Sequence, residues 1–249
     1  MKQLRGILRI SAVLPALLIS TIFTLLMAPF PLRIRGGVRL SIYPVIWFAH
    51  YFIWIFNIRY ACTDPEKLRT HSGLLICNHL SYMDVFALLY TVPAKFMSTV
   101  GVKKIPLVGW VAASIDTIFV NRGSKESRAA ARIELGAQLQ ERSFPPLAIF
   151  PEGRIGDSTH LLPFRHGAFT VAISQNISCL PCAIRYMPYS SIGWTDKEET
   201  LPHAVWRLAT ADQSLQITIQ PLDALEPRDY ESAASMAEAA YIRIATALE

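Results

Sequence analysis

Two apolar stretches fill most of the first sixty positions. Residues 10–32 run for 23 positions without a charge. Residues 40–58 hold no Asp, Glu, Lys or Arg and a single histidine, His50. The first stretch is long enough to cross a bilayer core. The second carries Trp47, Tyr51 and Trp54, side chains favoured where hydrocarbon meets headgroups. Beyond residue 60 the pattern changes to short apolar runs separated by longer amphipathic ones. Runs 73–77, 95–99, 117–120, 147–150, 180–186 and 215–219 read as strands. Segments 82–91, 124–141, 167–174 and 230–248 read as helices, with Ser124 capping the second. This alternation predicts an α/β fold, a mainly parallel sheet covered by helices. The turn-rich segment 188–202 reads as a surface loop. The expected division is a membrane-embedded two-helix hairpin over 1–60 and an α/β domain over 61–249.

Charge refines the N-terminal picture. Lys2, Arg5 and Arg9 precede the first apolar stretch; Arg33, Arg35 and Arg39 lie between the two, around Gly36-Gly37. Two full spans would put that connector outside, against the positive-inside tendency. Pro15, Pro29, Pro31 and Pro44 also interrupt straight helices. The expectation is a hairpin entered from one face, on the cytoplasmic side of the plasma membrane, with a true span as the alternative. A cleaved signal peptide is disfavoured, because cleavage leaves a second membrane-seeking stretch. The net charge of +5 suits an anionic partner: a membrane surface, a phosphate-bearing substrate or an acidic protein. Nucleic acid is not expected, since no basic run is interleaved with aromatics. Four cysteines without a framework suit a reducing compartment. Cys179 and Cys182, three apart on a strand, point to opposite faces. No metal and no cofactor are expected, and no P-loop, H-E-x-x-H or dinucleotide fingerprint occurs.

In sheets of this kind, chemistry gathers at the carboxyl ends of strands. Three strand exits carry suitable groups: Asn78-His79, Asn121-Arg122 and Glu152-Gly153-Arg154. A fourth cluster, Phe164-Arg165-His166-Gly167-Ala168, opens a helix. His79 and Asp84 are five positions apart, a spacing that does not bring two residues together on one helix face. They meet only if His79 lies in the turn and Asp84, in the first helical turn, reaches back. Asp84 would then orient a general base. The alternative is local: Ser81 as N-cap, with Asp84 as the acidic residue of the first turn.

The chain resembles the glycerolipid acyltransferases, in particular the bacterial 1-acyl-glycerol-3-phosphate acyltransferases. Asn78-His79-Leu80-Ser81-Tyr82-Met83-Asp84 matches their NHxxxxD block, and residues 117–122 match the block ending in arginine. Phe150-Pro151-Glu152-Gly153 matches FPEG, and Phe164-Arg165-His166-Gly167-Ala168 a basic FKxGA-like block. The four ordered blocks lie within residues 73–187. The resemblance implies His79 as the base that takes the acceptor hydroxyl's proton and Asp84 as its orienter, with no acyl-enzyme. No G-x-S-x-G occurs, which counts against an α/β-hydrolase. It implies that Arg122, with Arg154 and Arg165, grips the acceptor phosphate. Glu152, beside Gly153, would hydrogen-bond the acceptor glycerol or a binding arginine. The implied partners are membrane lipids, a lysophospholipid acceptor and an acyl-CoA or acyl carrier protein donor. Two departures bear on the acceptor. Arg154 and Ile155 stand where the family has Thr and Arg, and Thr99 and Gly101 stand where many members carry Lys and Glu; Lys103 or Lys104 is a substitute. Another lysolipid acceptor, glycerol-3-phosphate, a membrane esterase and a non-catalytic lipid-binding protein are the competing readings.

Overall fold

All four residues of Leu74–Cys77 are buried, as a strand covered on both faces requires. Gly73 just before it has φ +124°, and a Cβ there would lie 2.4 Å from the Ser178 carbonyl, so only glycine lets the two chains approach. The computed structural model describes residues 1–34, 36–156, 160–193 and 199–249. Arg35 of the basic connector therefore lies outside the described residues, as do positions 194–198 of the expected surface loop.

The chain opens with α1 (Lys2–Met27), a hairpin of β1 (Arg33–Ile34) and β2 (Val38–Arg39), and α2 (Tyr43–Ile55). Next come β3 (Ile58–Cys62), α3 (Pro65–Thr70), β4 (Leu74–Cys77), α4 (Asp84–Thr91) and β5 (Lys95–Thr99). The middle holds α5 (Val100–Lys103), α6 (Val108–Ser114), β6 (Ile118–Val120), α7 (Lys125–Glu141) and β7 (Leu147–Ile149). The remainder is α8 (Gly167–Gln175), β8 (Cys179–Met187), α9 (Tyr189–Ile192), α10 (Leu201–Thr210), β9 (Leu215–Pro221) and α11 (Ala233–Leu248). Among the described residues seven strands form one sheet in the order β3-β9-β8-β4-β7-β5-β6. All pairings are parallel except β8 with β9. The ends of β4, β6, β7 and β8 therefore open on the same edge.

Side chains alternate between two core layers, as the strand period dictates. Leu75, Cys77, Cys182, Ile184 and Tyr186 face the layer of α2 and α4. Leu74, Ile76, Cys179 and Ala183 face that of α7, α8 and α11. Cys179 and Cys182 thus lie in opposite layers, as their spacing predicts. Helix ends follow local chemistry. Ser124 accepts the Ser127 N–H to start α7, and Ser232 and Ser235 close a reciprocal capping box on α11.

The N-terminal segment is continuous with the sheet. Phe86 of α4 packs on Phe48 and Phe52 of α2, with ring centroids 5.6 and 5.1 Å apart. The stretch 40–58 is not one helical arm: α2 ends at Ile55, and Ile58 already begins β3, which pairs with β9. Segment 188–202 also differs from the expected loop, since it contains α9 and the start of α10. Among the described residues α1 is the one helix long and apolar enough to cross a membrane. Its packing is inverted. Gly6, Val13, Ala16, Ser20, Thr21 and Thr24 are buried, while Leu4, Leu8, Leu14, Leu18, Ile22 and Phe23 are exposed. Arg5 and Arg9 fasten its start by donating to the Ala209 and Ala211 carbonyls at the end of α10 and just past it.

Candidate active site

The β4 exit builds the site. His79 lies two residues after the strand, and the helix begins at Asp84 with Met83 as N-cap. Ser81 is not that cap. Its hydroxyl accepts the Met83 N–H at 3.2 Å and donates to the Ile192 carbonyl at 2.7 Å. Asp84 reaches back over the turn. Its Oδ2 accepts from His79 Nδ1 at 2.6 Å, from the Leu80 N–H at 2.9 Å and from the Ser81 N–H at 3.1 Å. Its Oδ1 accepts from the Tyr186 hydroxyl. The carboxylate is fully buried, whereas the imidazole is 18% exposed. A carboxylate on Nδ1 fixes the proton there and leaves Nε2 as the free lone pair. The imidazole also lies on the Phe150 ring, centroids 4.2 Å apart and planes 17° from parallel. Asp84 thus sits in the first turn of α4 with its carboxylate against His79 Nδ1, while the expected Ser81 cap gives way to Met83.

The β7 exit wraps over this turn. Glu152 Oε1 accepts the His79 N–H at 2.6 Å, and Oε2 accepts the Leu162 N–H at 3.1 Å. The Gly156 N–H donates to the His79 carbonyl at 2.7 Å. Glu152 is 4% exposed. Burial raises its carboxyl to about 7 against the opposing pull of the two backbone N–H donors. Within the chain Glu152 serves as a strut between two loops, its oxygens taken by backbone N–H groups rather than by an arginine among the described residues. Gly153 also has a backbone role. It adopts φ +73°, and a Cβ there would meet Arg165 Nε at 2.7 Å.

The arginines lie at solvent. Arg165 rests against Gly153, and its backbone N–H donates to the Pro151 carbonyl at 2.9 Å. Arg154 and Arg165 line an open cleft of 490 Å³ with Glu152, Leu162, Pro163 and Phe164. Arg122, past the end of β6, is close enough to Arg165 for the two charges to repel. Partial desolvation first, and then Arg165, lower its guanidinium below the ordinary value. Lys103 lies over the Phe119 ring at 5.5 Å, on the strand that leads to Arg122. His166 lines an adjoining cleft of 280 Å³ between the start of α8 and α11, which shares Pro163 and Phe164 with the first.

Sequence reasoning missed Tyr186 and Phe150 as neighbours of the dyad. It also missed what Asn78 does. Asn78 Nδ2 donates to the Ile184 carbonyl at 2.9 Å, and its Oδ1 accepts the Ile184 N–H at 2.7 Å. A side-chain amide thereby continues the β4–β8 ladder beyond its last backbone pair, Cys77 with Cys182.

The Acyltransferase family model matches residues 59–185, just over half of the chain. The 1-acyl-sn-glycerol-3-phosphate acyltransferase of Neisseria gonorrhoeae is 28% identical over 151 residues, 59% of this chain and 58% of that protein. The lyso-ornithine lipid O-acyltransferase of Pseudomonas aeruginosa is 31% identical over 131 residues, 53% of this chain and 48% of that protein. The chain thus matches about half the length of these relatives. Among solved structures, the 1-acyl-sn-glycerophosphate (LPA) acyltransferase of Thermotoga maritima aligns with a TM-score of 0.73 at 18% identity. That alignment covers 100% of this chain and 96% of the other, a likeness of fold.

Proposed function

Because the chain belongs to the acyltransferase family, we propose that it is a membrane-held O-acyltransferase. It moves a fatty acyl group from a thioester, acyl-CoA or acyl carrier protein, to the sn-2 hydroxyl of 1-acyl-glycerol-3-phosphate, giving phosphatidate. The observation that carries this reading is the 2.6 Å bond from His79 Nδ1 to Asp84, on the sheet edge that also presents Arg122. A thioester is already activated, so the acceptor hydroxyl is the group that needs help. His79 Nε2 takes its proton as the new ester bond forms, and Asp84 stabilises the imidazolium. The thiol leaves with the electron pair of the broken C–S bond, and the imidazolium returns the proton to it. Arg122, Arg154 and Arg165 hold the acceptor phosphate, because guanidinium forks match phosphate oxygens.

A second reading keeps the chemistry and changes the acceptor to a lyso-amino-acid lipid. The similarity to a lyso-ornithine lipid O-acyltransferase favours it, as does Ile155 where the family has an arginine. The test is an acyl-transfer assay on the full chain with both donors and a panel of lysophosphatidate, lyso-ornithine lipid and glycerol-3-phosphate. Labelled phosphatidate, lost in His79→Ala, is the expected product. Acylated ornithine lipid would select the second reading. Turnover by His79→Ala would overturn both.

The inverted packing of α1 supports the membrane-held part. Large apolar side chains facing outward, with small and polar ones inward, suit lipid rather than water. The protein is expected to stay on vesicles through a carbonate wash. Labelling of an introduced Gly36→Cys, with native thiols masked, is expected from the same side as the catalytic domain. Labelling from the opposite side would indicate a span.

A further inference from the structure

We propose that Tyr186 is a positioning residue of the base, fixing the Asp84 carboxylate in the plane that His79 requires. The proposal rests on the acyl-transfer reading above. Tyr186 lies one residue beyond the stretch that the family model matches, and 102 positions from Asp84. Three donors crowd Oδ2 of Asp84, all from the turn at 79–81. Tyr186 is the donor that occupies Oδ1 among the described residues. The terminal torsion of an aspartate is soft, so one engaged oxygen leaves the carboxylate free to rock. Engaging both oxygens from two different elements fixes its plane and thus the direction of the bond to Nδ1.

Three further observations point the same way. Strand alternation sends Tyr186 into the layer that holds α4, where it is 4% exposed. Burial and the Asp84 charge both push its phenol far above the ordinary range, so it stays a donor at working pH. The Asn78 clamp on Ile184 sets the height of β8 two residues before Tyr186, from the residue next to His79. A side chain that merely filled the core would need neither the clamp nor the hydroxyl. The other titratable groups facing the pair are Cys77, Glu152, Tyr60 and Tyr82.

The hydroxyl also draws negative charge from Asp84 that would otherwise stabilise the imidazolium. Weakening and strengthening the donor should therefore move the base in opposite directions. The test uses the full chain in phospholipid–detergent micelles, with Tyr186→Phe and with 3-fluorotyrosine placed at position 186. Tyr186→Phe is expected to lower kcat about tenfold, with the lysolipid KM nearly unchanged, as loss of one charge-assisted hydrogen bond implies. Its acid limb of kcat/KM should move up. The fluorinated phenol is a stronger donor of nearly the same shape, and its acid limb should move down. Ring-labelled histidine NMR reads the same opposite displacements at His79 without turnover. A chain that transfers no acyl group would sink the functional reading while this measurement still judges Tyr186. Should Tyr186→Phe fail to fold, the fluorinated protein carries the test alone. Native kcat and limb in Tyr186→Phe, or no displacement of the His79 titration by fluorination, would make Tyr186 a core residue only.

Discussion

Asp84 is wholly buried and accepts four hydrogen bonds, whereas Arg122, Arg154 and Arg165 reach solvent from three separate segments. Among the described residues none of these three arginines has an ion-pair partner. The His79–Asp84 end is held by the chain's own hydrogen bonds. Its donors come from the turn itself and from β8, and its histidine is held by a ring beneath and a backbone bond behind. At the arginine end Arg122 and Arg165 repel one another, which an anion between them would relieve. The difference separates two kinds of failure. Damage to the first end should appear in kcat, because the geometry of proton transfer is lost. Damage to the second should appear in the acceptor KM, because an attraction is lost.

The largest effect is expected at Asp84. Asp84→Asn keeps the size of the side chain and removes its charge. The amide nitrogen cannot accept the N–H bonds that Oδ2 now takes, and an amide can hold the imidazole in the wrong tautomer. A fall in kcat of about 10³–10⁴-fold is expected, by analogy with other buried aspartate–histidine pairs. Steady-state kinetics with circular dichroism as a folding control measure it. A loss below tenfold in a folded protein would erase the contrast between the two ends.

The legible parts of this molecule were those written locally. His79 and Asp84 sit five apart at a strand exit, and that spacing already restricted how they meet. Arg122 and Glu152 follow strands, so their edge of the sheet was readable from order alone. The hidden parts depend on distant pairing. Tyr186 reaches Asp84 only because β8 lies beside β4, and no pattern within 180–186 marks its hydroxyl. β3 was hidden inside an apolar run, since Ile58 ends a stretch whose composition suits a helix equally well. α10 was masked by the prolines and polar residues before it, although its own ten residues are strongly two-sided. Glu152 was readable as a strand-exit residue but not as a strut, because its partners are backbone groups 73 and 10 positions away.

Glu152 stands at the seam between the two ends and gives the second prediction. Its carboxyl is raised by burial from the ordinary 4.5 to about 7. Between those pH values the folded chain binds more protons than the unfolded one. Stability from this group is therefore full below about 4.5 and is lost as pH rises through about 7. The total is on the order of 3 kcal/mol. Glu152→Gln should flatten that slope. Denaturant unfolding in micelles, followed by tryptophan fluorescence across this range, compares the two proteins. Parallel pH profiles would mean that Glu152 titrates normally and that its burial is relieved in solution.

The smallest effect, and the sharpest test of the contrast, is at Arg122. Arg122→Lys keeps a positive charge and removes the planar fork. The neighbouring Arg165 then loses a repelling guanidinium and gains a more compact ammonium, so part of the attraction for phosphate survives. A rise in acceptor KM is expected, with the thioester donor's KM little changed. A charge-assisted hydrogen bond contributes about 1.5–3 kcal/mol, so acceptor kcat/KM should fall roughly ten- to a hundredfold. Arg122→Ala should fall further and should lose discrimination between lysophosphatidate and a neutral lysolipid. Because Arg122 touches neither His79 nor Asp84 in the site's hydrogen-bond network, the acid limb of kcat/KM should stay in place. If donor kinetics change instead, Arg122 serves the phosphates of the donor. If kcat alone falls and the limb moves, the cationic end is part of the base, and the two halves of this site are one.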